Sequence, residues 1–131
     1  MTFLILATQR GQSQNLHFDS LRVYAKGQRG YKLLIIKNDK SVRLTEAMGD
    51  NLHQNKPSYK YHIMTDQQYQ SFLDTLSKSL IFKLPRQREF TAIDESEIDI
   101  TIYANRQIII SNGGTLSDIH QKLLNYLLKI D

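Results

Sequence analysis

From Leu16 to Ala25 the apolar residues Leu16, Phe18, Leu21, Val23 and Ala25 alternate with polar ones, and a spacing of two commits a chain to strands with one buried face. The alternation slips once, at Asp19-Ser20, where a β-bulge absorbs one extra residue. A turn signal at Gly27-Gln28-Arg29-Gly30 leads to the continuous run Leu33-Leu34-Ile35-Ile36. Asn38-Asp39-Lys40 then turns the chain into Val42-Arg43-Leu44, a hairpin signature. Tyr59, Tyr61 and Ile63 alternate with Lys60 and His62 in a further strand. Met1 to Ala7 lacks a basic start, and its apolar run is shorter than the roughly 7–15 residues of a secretory segment; Phe3 to Thr8 reads as a first strand.

The period changes to that of a helix after Ile63. Thr65 followed by Gln68 is a capping box, with Met64 and Tyr69 at the two positions of a hydrophobic staple. Tyr69, Phe72, Leu73, Leu76 and Leu80 make one apolar stripe, and Pro85 ends the element. A polar connection over 86–95 precedes the hairpin Ile98-Ile100-Ile102, Ala104-Asn105-Arg106-Gln107, Ile108-Ile109-Ile110. Asn112-Gly113-Gly114 stops it. A last helix, capped by Thr115 or Ser117, carries Leu116, Ile119, Leu123, Leu127 and Ile130, widened by Leu124 and Leu128. Residues 46–57, with Gly49, Asp50, Asn51, Asn55 and Pro57, read as a loop.

Strands in a run, then helix, hairpin and helix, predict an α+β fold. The expected architecture is one domain over 1–131, with a largely antiparallel sheet of six or seven strands and two helices packed on one face. The chain has no Cys, which excludes disulfides and thiolate metal sites and fits a cytoplasmic setting. No apolar run approaches the roughly 20 residues of a membrane span, so no membrane association is expected.

Chemistry-bearing patterns are sparse. His17, His53, His62 and His120 are scattered without metal spacing, no Gly-x-Ser-x-Gly occurs, and Gly113-Gly114 before a helix is explained by a turn. No cofactor and no catalytic site are expected. Charge is uneven: residues 1–64 hold ten Lys/Arg against four Asp/Glu, and residues 65–131 hold seven against nine. The stretch Arg22, Lys26, Arg29, Lys32, Lys37, Lys40, Arg43 holds a single acid, Asp39, and with Tyr24 and Tyr31 interleaved it could track a phosphate backbone. Within it Arg22, Lys26, Arg29 and Lys32 are the candidate nucleic-acid-binding residues. The segment Asp94, Glu95, Glu97, Asp99 is the sharpest acidic feature. Its plainest reading is the solvated face of an edge strand, where charge discourages pairing; its functional reading is a surface for a basic protein partner.

The strand-rich start, the capped helix over 65–80, the hairpin over 98–110 and the leucine-rich ending over 116–130 together resemble the small bacterial immunity proteins that neutralise toxins of contact-dependent growth inhibition and related systems. The resemblance is one of layout across most of the chain and carries no functional residue across. It implies a cytoplasmic inhibitor that binds a toxin domain and covers its active site; the charge pattern, separately, makes Asp94, Glu95, Glu97 and Asp99 the candidate contact with a basic toxin surface. A phage-type inhibitor of a host defence protein has the same layout. The net charge of +4 departs from the acidic balance common among immunity proteins against nucleases.

Overall fold

The computed structural model describes residues 16–27, 30–48, 57–90 and 97–129. The strand expected over Phe3–Thr8 lies outside them, as do Arg29, Asp94, Glu95 and Ile130. Alternating β-branched and aromatic residues form β1 (Phe18–Gly27), β2 (Gly30–Lys37), β3 (Ser41–Met48) and β4 (Ser58–Ile63). Then follow α1 (Asp66–Lys78), a 3₁₀ turn (Ile81–Lys83), β5 (Gln87–Arg88), β6 (Glu97–Ala104), β7 (Gln107–Gly113) and α2 (Asp118–Leu127). The seven strands make one sheet in the order β4-β3-β2-β1-β6-β7-β5, antiparallel throughout except for β5 against β7. The fold is α+β, as the order of elements implies.

The bulge falls where the pattern slips: the pairing of β1 with β6 shifts register between Phe18 and Ser20. The Asp19 carbonyl there accepts from the Asn38 amide at 3.0 Å, tying the bulge to the β2–β3 turn. At the β6–β7 turn Asn105 and Arg106 both take positive φ, 53° and 60°, the two-residue turn whose twist suits a hairpin. Asn105 also pins the start of β1, accepting from the His17 amide through Oδ1 at 2.8 Å and donating its own amide to the His17 carbonyl at 2.7 Å.

Registers place Leu21, Val23, Leu34, Ile36, Val42, Ile100 and Ile102 on one face of the sheet. Phe72 and Leu76 of α1 and Leu123, Leu124 and Leu127 of α2 complete a single core against that face, with Phe18 edge-on to Phe72 at 5.0 Å between ring centroids. Burial of this kind is worth about 1.5–3 kcal/mol per large side chain. On the outermost strand β4, Lys60 and His62 fall on this covered side while Tyr59, Tyr61 and Ile63 fall on the other.

Three sequence expectations need correction. Strand β3 runs to Met48, into the segment read as a loop. Helix α1 ends at Lys78, so Leu80 leaves the stripe. It takes the left-handed region (φ 58°) with its side chain about half exposed, and Ile81 enters the core in its place. An L-residue there costs about 1–2 kcal/mol; the Leu80 carbonyl is held by the Lys83 amide at 2.9 Å and by His120 Nε2 at 3.2 Å. In α2, Ile119 faces outward and His120 is buried instead. Ser117 occupies the cap position, but its hydroxyl lies 2.7 Å from His120 Nδ1 and bonds no helix amide. Because a carbonyl only accepts, Nε2 donates to Leu80 and Nδ1 accepts from Ser117, which makes His120 a tie between α2 and the end of α1.

The N-terminus of α1 is capped as expected: Thr65 Oγ1 accepts from the Gln68 amide at 3.1 Å, and Gln68 Oε1 accepts from the Thr65 amide at 2.9 Å. Replacing Thr65 by Ala is expected to lower stability by about 1 kcal/mol, read as a shifted urea midpoint at unchanged slope. Asp66, in the first turn, pairs with Lys40 of the β2–β3 turn. The hydrogen bond and charge of Lys40 hold the Asp66 carboxyl below its ordinary 3.8. A depressed carboxylate contributes stability above its unfolded value and loses it as pH falls through the folded one. Lys40→Met is therefore expected to lower the melting temperature at pH 7, and to converge on the parent in a thermal series as pH falls below 3.8 and through the lowered folded value.

Candidate functional site

The helices cover one face of the sheet, and the opposite face carries the candidate site. Registers lay its side chains out in rows. One row runs Tyr61, Arg43, Ile35, Arg22, Thr101, Ile110 from β4 across to β7. The next runs Tyr59, Thr45, Leu33, Tyr24, Asp99, and a third Ala47, Tyr31, Lys26, Glu97. Toward the β6–β7 turn, Lys37, Ser20, Tyr103 and Ile108 make a fourth. Large apolar groups stand open here: Tyr59 is 70% exposed, Tyr61 62%, Ile108 60% and Ile63 51%. Exposed Tyr and Ile beside Arg on one face of a sheet are the side chains that mark macromolecular interfaces.

Strand parity decides which sequence candidates meet. Arg22 and Lys26 lie on this face. Lys32 does not: it sits beside Ala25 and Glu46 on the covered side, and Arg29 lies outside the described residues. Lys37 and Arg43 join Arg22 instead. The Arg22 guanidinium carbon stands 5.7 Å from the centre of the Tyr24 ring, and Tyr24 lies 5.8 Å from Tyr31, so a cation–aromatic stack is built into β1 and β2.

The acidic candidates share this surface. Glu97 stands across from Lys26 and Asp99 across from Tyr24; Asp94 and Glu95 lie outside the described residues. The edge-strand reading of this segment is overturned, because β6 is interior, hydrogen-bonded to β1 on one side and β7 on the other. Sequence order does not reveal strand order, and no local signal distinguishes an edge from a centre. Glu97 is exposed, whereas Asp99 is half-buried with Oδ1 enclosed and without a hydrogen-bond partner.

Arg88 is the residue that sequence reasoning missed. The stretch read as polar connection contains β5, and Arg88 is only 8% exposed. Its guanidinium donates to Ser111 Oγ, to the Ile98 carbonyl, and to the Gly114 carbonyl at 3.2 Å. Burial pushes its pKa below the ordinary value and the nearby charge of Asp99 opposes that shift; an arginine stays cationic regardless. Gly113, at φ 124°, makes the close approach possible, since a Cβ there would meet the Arg88 carbonyl oxygen at 2.1 Å. Hydrogen-bond donors aimed at carbonyls give Arg88 a fastening role. Arg88→Met is expected to cost about 3 kcal/mol, because the Ser111 hydroxyl and buried carbonyls lose their partner, checked by chemical denaturation.

On the helical side a cleft of about 290 Å³ lies between α1 and α2, lined by Asp74, Thr75, Lys78, Ser79, Ile119 and Lys122 with Leu123. Lys78 is engaged by Asp74 at 2.9 Å, and no histidine reaches the cleft. Among the described residues no group of three His, Asp or Glu is placed to hold a metal ion, and no helix is long and apolar enough to cross a membrane. Neither a scan of protein-family models nor a search of curated proteins finds a match to this chain.

Proposed function

We propose that this chain is a binding protein of the immunity or inhibitor type, which blocks a toxin domain in the cytoplasm by docking the open face of its sheet against it. The observation that carries the reading is that face itself. Its exposed Tyr59, Tyr61, Ile63, Tyr103 and Ile108 are flanked by arginines and by both signs of charge. Tyr and Arg are the side chains that dominate hot spots, and mixed charge around apolar anchors sets register and specificity between proteins. The layout resemblance and the absence of Cys fit the same reading. A phage-type inhibitor would use the surface in the same way.

A second reading, single-stranded nucleic acid on the same face, is favoured by the Arg22–Tyr24–Tyr31 stack, since bases pack on such rings. The alternation of Glu97 with Lys26 and the isoleucines at both flanks support the protein reading over it.

The test is capture from host cells on immobilised protein, comparing the parent with Tyr61→Ala/Ile63→Ser and with the helical-side variant Lys122→Glu. A protein partner retained by the parent and by Lys122→Glu, and lost by the sheet variant at least tenfold (about 1.4 kcal/mol), is the expected result. Equal capture by all three removes the open face from the function. A nuclease-sensitive captured species, released steeply by salt, establishes the second reading.

A further inference from the structure

Charge on the open face is segregated. Lys26 has Glu97 directly across from it, the position at which opposite charges on neighbouring strands offset one another. Arg22 and Arg43 have no acid across from them, and Lys37 has only Asp39 of the β2–β3 turn, whose carboxyl its charge helps to hold low. All three surround one residue. Arg22 stands across from Ile35 on β1, Arg43 across from it on β3, and Lys37 follows two positions along the same strand. Ile35 is half-buried and gives the group an apolar floor, with Leu33 continuing it on the fourth side. Arg22 is already held over Tyr24, so part of its ordering cost is met before binding.

Resting on the protein-docking reading above, we infer that Arg22, Lys37 and Arg43 around Ile35 form an acidic-segment seat. The partner places there an apolar side chain flanked by carboxylates, and so presents an acidic surface to be covered. Arg22 and Arg43 stand on strands two spacings apart, about 10 Å, which matches two carboxylates on either side of one apolar residue better than a single anion. A continuous phosphate backbone fits less well, because the row beyond Arg22 is Thr101 and Ile110 and the next row ends in Asp99. The acidic surface assigned to the partner also accounts for an inhibitor with a net charge of +4. It places the partner's contact opposite in sign to the one that Asp94, Glu95, Glu97 and Asp99 would meet.

The experiment uses the full chain, isotope-labelled, titrated to millimolar excess with a synthetic peptide of glutamates around a central leucine, and separately with oligothymidylate. Amide shifts confined to β1, β2 and β3 on adding the peptide are expected. Arg22→Gln, Arg43→Gln and Ile35→Asp should each weaken the peptide at least about tenfold, while Lys26→Gln and Lys122→Glu leave it unchanged. The glutamine variants are at exposed positions, so their unchanged melting temperature separates lost binding from lost fold. A peptide that shifts none of these amides, or shifts them equally in the variants, overturns the inference. Tighter binding of oligothymidylate through the same arginines overturns it in favour of the nucleic-acid reading. If cellular capture depends on Tyr61 and Ile63 but not on Arg22 or Arg43, the seat fails while the docking face stands.

Discussion

The pairing of β1 with β2 on one side and β6 on the other is the constraint from which the rest of the molecule follows. Its registers decide, residue by residue, which side chains meet the helices and which meet solvent. Leu21 and Val23 face Ile36 and Leu34 on the covered side, so Arg22 and Tyr24 have no choice but the other. The bulge at Asp19 matters for the same reason: without the extra residue, Phe18 would turn away from Phe72. Both helices are spent on one side. Among the described residues no helix lies on the far side of the seven-stranded sheet, which is apolar and charged at once.

That arrangement merges two functional ideas that the linear sequence keeps apart. The basic residues of the first half and the acidic residues near position 97 are distant in the chain, yet Lys26 and Glu97 are cross-strand neighbours. One surface therefore carries both, and neither works as a field of one sign. What distinguishes its parts is which charges are compensated locally. Arg22 and Arg43 beside Ile35 face no acid across the strands, and that difference gives the surface a direction.

What could be read from the sequence was whatever a short window decides. The slip at Asp19-Ser20, the Thr65–Gln68 box, the Asn38–Lys40 turn and the Asn105–Arg106 turn are each settled by a few adjacent residues, and all are found. The alternation also placed Arg22 and Lys26 on a common face. Lys32 fails that grouping by parity alone, since it is an odd number of pleats from its counterparts once Lys26 and Tyr31 are paired. Other features depend on distant partners. Leu80 leaves the helix, and its carbonyl is taken in part by His120, forty positions on. Arg88 looked like solvated linker because its acceptors lie at 98, 111 and 114. Whether β6 is central or peripheral depends on which strand lands beside it, and nothing within 97–104 records that.

Lys60 deserves its place beneath the outermost strand for a different reason. It projects from β4 toward the helical side, next to Leu44, on the strand that ends the sheet among the described residues. A further strand added there would meet an inward-facing charge on the outermost strand, one of the devices that discourage edge-to-edge pairing. A polypeptide that leaves tyrosines and isoleucines in water gains from such a guard. Neighbouring copies at high concentration meet a repulsive terminus before they can lengthen the sheet, and the sticky surface stays free to be chosen by something else.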